Sequence, residues 1–573
     1  MNKEAILHIP NSRFCFALND NTVILRLRMS RNDLIGNVYV VYGGKYDFFE
    51  KQNRLLLERS YTDDLFCYYQ AKLTLDDLRL VYIFEIKHNN KTTYYSEDGL
   101  TDSFNFKYNY FNSFQLAYIN QIDVHREVEW MRGAVFYHIF VDRFFRGDME
   151  KEDSYINLKW GAPPNSKSFA GGDLKGITAK IGYLADLGIN VLYLTPVFRS
   201  RSNHKYDISD YFNIDQHFGS NEDFRKLILK AHRHGIRIVV DAVFNHCGED
   251  LAQFQDVMEN GKASPYFNWF IINGDKPVKN PLNYECFAAC DYMPKFNTSN
   301  QELQQYLLDI TAFWMKEYDI DGWRLDVSDE VSHNFWRKFR EHVKAIKADC
   351  VIIGENWHDA NPFLLGDQYD SIMNYAYTKA CYDFFADGLI SADGFARRLS
   401  GLLMRNTTQV NTMMLNILDS HDTHRFLTLV KGNTDKLICA LAVTFMYMGA
   451  PGIYYGAEIG MEGNHDPDSR RTFDWSKADE ANPLTKLIKE LITLKKREEL
   501  KTGDIKLSSQ DGLFLLERAS ETKALKLWVN NTGADLHLIL TGAVVLEHNF
   551  TGPVLRNDGF VIEDISVKNT SKV

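Results

Sequence analysis

No segment of the 573-residue chain comes near the ~20 consecutive apolar residues that a membrane-spanning helix needs. The first residues, Met1-Asn2-Lys3-Glu4-Ala5-Ile6-Leu7-His8, lack the apolar core of a secretory signal. Cysteine is sparse: eight thiols, at positions 15, 67, 247, 286, 290, 350, 381 and 439, with no Cys-x-x-Cys pair. Scattered thiols in a chain of this size without a signal read as reduced cysteines in a cytoplasmic protein. Cys286 and Cys290 are near enough to share a metal, but no neighbouring His or Cys pair completes a zinc set. Dense Lys/Arg runs are missing too, and 65 basic against 76 acidic residues leave a net charge of −11. That balance argues against a nucleic-acid partner, which calls for a basic face to displace counterions from phosphate. His-Glu-x-x-His, the Gly-x-x-x-x-Gly-Lys phosphate loop and Gly-x-Ser-x-Gly are all absent.

What is present is ordinary globular material, 45% hydrophobic and 25% charged, which excludes a disordered, collagen-like or disulfide-stapled chain. The length exceeds one hydrophobic core, so several domains are expected. Residues 1–122 read as a β-sandwich. Val23, Leu25, Leu27 and Met29 alternate with Ile24, Arg26 and Arg28, which points one apolar row inward from a half-buried strand. Residues 496–573 return to alternation and turn chemistry, as in Ala524–Val529 followed by Asn530-Asn531-Thr532-Gly533, and read as a second, smaller β-sandwich.

Between them, over 123–495, amphipathic helices alternate with short apolar strands. Ser220 and Asp223 predict a capping box for a helix carrying Phe224, Leu227, Ile228 and Ala231, with Gly235 ending it. Ser299 and Glu302 predict a second cap before Leu303, Leu307, Ile310 and Trp314. Strands are expected at 135–141, 191–194, 236–244, 322–327, 351–354, 371–374, 414–418 and 452–455. Eight strands with helical crossovers predict a (β/α)8 TIM barrel. The excess length falls at 247–293, where Pro, Asn and aromatics cluster, and predicts an inserted domain after the third barrel strand.

A barrel gathers its reactive side chains at the carboxyl ends of its strands. Those ends read Asp241–His246, Arg324-Leu325-Asp326, Gly354-Glu355 and Ser420-His421-Asp422. Glu355 follows Asp326 by about one βα repeat of roughly 30 residues, and Asp422 follows by about two more, so the acids should meet over one mouth. Arg324 and Asp326 share a strand face, and a guanidinium beside a carboxylate favours its ionised form. Glu355 ends an apolar run near Trp357, which predicts a raised pKa and a proton to donate. One ionised and one protonated carboxyl are what retaining glycoside hydrolysis requires. Each residue also has a plainer reading, an aspartate as a helix cap or a histidine as a core hydrogen-bonder, and only their joint placement outweighs it. His421 and His424, three apart, could mark a metal site, but that spacing serves ligands on a helix and not after a strand.

Four segments, Asp241–His246, Gly322–Val327, Gly354–His358 and Leu418–Thr423, resemble the four ordered motifs of the α-amylase family, glycoside hydrolase family 13. Met293–Thr298 resembles the fifth motif of its neopullulanase, cyclomaltodextrinase and maltogenic amylase group, and Ser202–Asp207 and Asp466–Arg471 extend the likeness. The N-terminal region is similar to that group's starch-binding-like module.

The resemblance implies Asp326 as nucleophile, Glu355 as general acid/base and Asp422 as a holder of sugar hydroxyls. It implies His246 and His421 as hydrogen-bonders at the cleaved linkage, Tyr206 as a stacking platform, and Asp466 and Arg470 as contacts to the same glucose. Trp357 and Phe287 are expected across the scissile bond, although Phe287 serves as well in packing the inserted domain. Phe296, Asn356, Asp419, Ser328 and Asp329 depart from the group's usual residues, and Asn356, Ser328 and Asp329 bear on fine specificity and transglycosylation. No cofactor is required. Calcium is an option through Asp148, Gly171 and Asp173, but Arg146 stands where another oxygen would be wanted. The implied partners are small α-glucans (cyclodextrins, maltooligosaccharides, pullulan) and a second copy of the chain, joined through the N-terminal domain. The rival readings are an oligo-1,6-glucosidase or glucosyltransferase of the same family, or a carbohydrate-binding scaffold on an inactive barrel.

Overall fold

All eight strands expected for the barrel form, at Phe136–Ile139, Val191–Leu194, Arg237–Ala242, Gly322–Leu325, Val351–Gly354, Ser371–Ile372, Leu415–Ile417 and Ala450–Tyr454. The computed structural model describes residues 1–479 and 481–566, so the last part of the tail expected at 496–573 lies outside the described residues. The strands hydrogen-bond in parallel, in the order 6-5-4-3-2-1-8-7. A parallel bridge from Met373 to Leu415 joins the sixth strand to the seventh and closes the ring.

The near-continuous apolar character of these strands has a simple cause: both faces are covered. Val191, Tyr193, Val239, Val351, Ile353 and Leu415 fill the barrel interior. Their sequence neighbours Leu192, Leu194, Ile238, Val240 and Ile352 pack outward against the helices. Register then places the chemistry. Asp241 pairs with Arg324 and Ala242 with Leu325, while Leu325 pairs with Gly354, so Asp241, Arg324, Asp326 and Glu355 emerge side by side at one end.

The capping box of helix Asn221–Arg233 forms as predicted, with Ser220 and Asp223 bonding reciprocally, and Gly235 follows the helix at φ +71°. The second predicted cap differs. Helix Gln301–Tyr318 is capped by Asn300, whose side chain accepts from Leu303 N, and not by Ser299. Asparagine is as good a cap as serine, and with the helix starting one residue later it meets the equivalent amide of the first turn, that of Leu303 in place of Glu302. Between the third strand and this helix the chain makes the predicted excursion. It contains helix Ala252–Asn260 and bridges from Phe270 to Phe296 and from Ile272 to Tyr284.

The N-terminal domain consists of a four-stranded and a six-stranded antiparallel sheet, with Val23, Leu25, Leu27 and Met29 in its core. The strand Thr22–Ser30 is not half-buried as expected, because the residues on its other face, Ile24 and Arg26, are buried too. Arg26 Nη1 donates to Asn406 O at 2.7 Å, which ties this domain to the barrel. The C-terminal strands form one antiparallel sheet organised around Val554–Ser566. One of its faces (Phe514, Leu516, Leu525, Leu527, Phe560) joins the barrel's core.

Candidate active site

At the carboxyl end of the barrel, a cleft of about 530 Å³ is lined by Tyr206, His246, Phe287, Asp326, Glu355, Trp357, Asp422, Asp466 and Arg470. The predicted residues of this site therefore meet in one place. His421 and Arg324 lie directly behind this lining, both buried.

Arg324 is the centre of the arrangement. Its Nη1 donates to Asp241 Oδ2 at 3.0 Å and Asp326 Oδ1 at 2.8 Å, and its Nη2 forms an ion pair with Glu355 Oε2 at 2.8 Å. One guanidinium thus joins the ends of three adjacent strands. The remaining oxygen of the nucleophile candidate, Asp326 Oδ2, is buried and has no hydrogen-bond partner. Glu355 Oε2 also receives Val327 N at 3.0 Å, whereas Oε1 receives only the longer Trp357 Nε1 contact, at 3.3 Å.

The expectation that Arg324 lowers the pKa of Asp326 is outweighed. Burial acts first and lifts Asp326 well above the usual carboxylate range; Arg324 opposes it, and Glu355 and Asp241 push it up further. Glu355 is raised as predicted, by burial first, with Arg324 opposing and Asp422 adding to the rise. Burial likewise raises Asp241. Burial works against the charge of Arg324, but Asp241 and Glu355 outweigh it and hold the guanidinium firmly protonated.

A second cluster lies beside the first. Arg470 contacts Asp422 at 3.1 Å and Asp466 at 2.9 Å, and its Nε donates to His421 O at 2.9 Å. His421 Nε2 sits 2.7 Å from the Tyr206 hydroxyl and 3.2 Å from Asp422 Oδ2, with the Tyr206 and His421 rings parallel within 8°. Burial drives His421 well below the ordinary histidine range and His246 down to about 3, so both rings are neutral. The Asn245 amide donates to His246 Nδ1 at 3.3 Å, which places the ring proton on Nε2, and Nε2 has no partner in the protein.

Two aromatic positions are settled by contact. Trp357 is 46% exposed and stacks on Tyr375 at 3.7 Å, with the rings 6° from parallel. Phe287 stacks on His246 at 4.9 Å, so it faces the cleft and is not confined to packing the inserted domain. Asp241, Tyr193 and Tyr375 are the residues that sequence reasoning missed. Asp241 opens the first of the four family-like segments, and a carboxyl inside an apolar strand already requires a buried partner. Tyr193 donates to Asp241 Oδ2 at 2.7 Å, an across-strand contact that only the register reveals.

Comparison with known proteins fits this geometry. A family model described as alpha amylase, catalytic domain, matches residues 138–502, and one described as alpha amylase, N-terminal ig-like domain, matches residues 1–120. The chain belongs to the α-amylase family. A cyclomaltodextrinase of Thermoanaerobacter pseudethanolicus is 43% identical over 538 residues, 93% of each chain. Neopullulanase 2 of Thermoactinomyces vulgaris is 39% identical over 548 residues, 94% of this chain and 92% of its own. A solved cyclomaltodextrinase structure superposes with a TM-score of 0.89 at 34% identity, covering 99% of this chain and 98% of that one.

In this family member the oxygens considered for calcium, those of Asp148, Gly171 and Asp173, do not fit a metal ion. An ammonium already occupies the position between them. Lys151 Nζ donates to Gly171 O at 2.7 Å, Asp173 Oδ2 at 2.8 Å and His217 O at 3.0 Å. Asp173 is further committed to Gly147 N and Asp148 N and caps helix Leu174–Leu187 through Gly176 N. Asp148 turns away to Lys175 at 2.5 Å. A divalent ion would have to displace a cation that its own chain holds in place. Among the described residues no group of three or more His, Cys, Asp or Glu could hold a metal. Chelation with EDTA, or added calcium, is therefore expected to leave the thermal midpoint of the protein unchanged, while Lys151→Met lowers it, as differential scanning fluorimetry can check.

Proposed function

We propose that this protein is a retaining α-glucan hydrolase that opens α-1,4 linkages, and α-1,6 linkages to a lesser extent, in cyclodextrins, short maltooligosaccharides and pullulan. Glycosyl transfer to a second sugar is the side reaction. The observation that carries this reading is the shared Arg324 guanidinium, which holds Asp326 and Glu355 side by side while leaving Asp326 Oδ2 unpartnered.

Three buried carboxyls around one cation cannot all be ionised, so the group keeps a proton. Burial lifts Asp326 as well as Glu355, but Arg324 gives its hydrogen bonds to Asp241 and Asp326, and on that geometry the proton is assigned to Glu355. In the first half-reaction Asp326 Oδ2 bonds to the anomeric carbon. The carbon–oxygen bond breaks with its electron pair on the glucosidic oxygen, which takes the Glu355 proton. In the second, ionised Glu355 removes a proton from water, the water oxygen bonds to the same carbon, and Asp326 leaves as a carboxylate. Asp422, fixed by Arg470, and the His246 Nε2–H are placed to bind hydroxyls of the reacting sugar, in contacts that strengthen as charge develops on its ring. A pyranose presents a C–H face to Tyr206.

The test is to follow α-cyclodextrin hydrolysis by proton NMR beside pullulan and soluble starch. The α-anomer of the new reducing end should appear first, and starch should be cut most slowly. Initial release of the β-anomer, or activity confined to isomaltose, would sink this reading.

We also infer a cytoplasmic homodimer joined through the N-terminal domain. All eight cysteines are free, in keeping with a reducing compartment. Among the described residues, no helix is long and apolar enough to cross a membrane. The N-terminal domain exposes Phe49, Tyr108, Tyr110 and Phe111, with the Phe49 and Tyr110 rings 6.5 Å apart. Such an aromatic patch suits the centre of an interface. Light scattering is expected to give a dimer mass that Phe111→Asp reduces to the monomer.

A further inference from the structure

Val327, directly after Asp326, is held at φ 43°, ψ 46°, in the left-handed region. A β-branched side chain adopts that conformation only under constraint, and such strain persists where the surroundings over-determine it. The constraint is visible on both sides. Asp326 N donates to Ala242 O at 3.1 Å. Beyond Val327, the Ser328 carbonyl accepts Trp336 Nε1 at 2.8 Å and the Tyr369 hydroxyl at 2.9 Å, and Ser328 Oγ donates to Glu355 O at 2.6 Å. Gly354 makes room for this clamp, since a Cβ there would lie 2.6 Å from the Tyr369 ring and 3.0 Å from Ser328 Oγ. In this turn the Val327 N–H points at Glu355 Oε2, 3.0 Å away.

We propose that Val327 is a positioning residue whose strained backbone turns its amide N–H onto Glu355 Oε2 and so reserves Oε1 for the proton delivered to the glucosidic oxygen. Oε2 meets one hydrogen-bond donor, the Val327 N–H, and lies 2.8 Å from the positive charge on Arg324 Nη2 in an ion pair. A hydroxyl there would set hydrogen against hydrogen. Oε1 meets only the Trp357 indole at 3.3 Å, and Glu355 and Trp357 both line the cleft. The backbone thereby selects between two chemically equivalent oxygens. The same amide favours the ionised form that the second half-reaction needs. The inference rests on the retaining-hydrolase reading and adds to it the atom that carries the proton.

Two measurements test it on the full-length protein. The first replaces Val327 by its α-hydroxy acid analogue, which keeps the side chain and exchanges the amide N–H for an ester oxygen. The basic limb of kcat/KM on a cyclodextrin should move to higher pH, because a donor to the carboxylate is gone. Meanwhile kcat should fall by about tenfold to a hundredfold with KM unchanged. Val327→Gly keeps the N–H and tolerates the left-handed turn, so it should leave the basic limb in place and raise the thermal midpoint. The second follows the Val327 amide proton in 15N-valine-labelled protein, identified by its absence in Val327→Ala. Its shift should titrate with the basic limb and lose that response in Glu355→Gln. An ester variant with an unmoved basic limb, a Val327→Gly variant that shifts it as far as the ester does, or an amide resonance indifferent to pH would overturn the proposal. The NMR reading needs no turnover, so it separates failure of this inference from failure of the hydrolase reading.

Discussion

Replacing Glu355 with Gln is expected to cut kcat on α-cyclodextrin by about 10²–10⁴-fold, while the Kd for the same ring, measured calorimetrically, stays close to that of the parent enzyme. The amide keeps the shape of the side chain and can still meet the Val327 N–H, but it has no acidic proton to give. The deficit should depend on the leaving group. With α-maltosyl fluoride, whose fluoride departs without protonation, the first half-reaction needs no acid, and the variant should release one equivalent of fluoride in a fast burst. The glycosyl group then waits on Asp326, because the base that activates water is missing too. Azide, a nucleophile that needs no base, should clear it as the α-maltosyl azide. Asp326→Asn should show neither burst nor rescue. Equal losses on cyclodextrin and on the fluoride in Glu355→Gln would remove the acid role from this residue, and loss of cyclodextrin binding would reduce it to a structural one.

That such an experiment can be designed around two residues reflects where the sequence speaks clearly. An apolar run that both faces of a parallel strand bury must be apolar to its last residue, so an acid or histidine at its carboxyl end stands out. Asp326, Glu355 and the His421-Asp422 pair were legible for this reason, and the number of such runs revealed the barrel. What stayed illegible depends on register and three-dimensional closure. The role of Asp241 appears only when the third strand is laid beside the fourth and Arg324 is found opposite. Lys151 looks like any surface lysine until its three acceptors, on Gly171, Asp173 and His217, are brought together around it, so the sequence alone leaves the same oxygens open to calcium. A valine offers no hint of a left-handed turn, since its propensities favour the opposite; only the contacts of Ser328 force one on Val327. Phe287 was undecidable for another reason, because an aromatic ring in an insertion serves packing and cleft lining equally well.

The largest combined effect on activity and stability is expected from Arg324→Met, which keeps the length of the side chain and removes its charge. Three buried carboxyls would lose the cation between them, and stripping one partner from a buried ion pair costs about 3–5 kcal/mol. Turnover should fall as well, by about 10²–10³-fold, the loss typical when a preorganised charge partner leaves an active site, because nothing then fixes Asp326 Oδ1 or opposes the protonation that burial favours. The pH dependence gives the sharper reading. Burial already raises Asp241, Asp326 and Glu355 above their unfolded values while Arg324 pulls each of them down. Removing Arg324 raises all three further. A carboxyl whose folded pKa lies above its unfolded one binds more protons in the native state than in the unfolded state. Stability therefore declines as pH rises from the unfolded value through the folded one. The thermal midpoint of Arg324→Met should then sit closest to that of the parent near pH 5 and fall progressively below it toward pH 8. A surface arginine replaced as a control, Arg79→Met, should show no such trend. A pH-independent offset between Arg324→Met and the parent would mean that Arg324 acts by packing alone, and that the three acids do not share its charge.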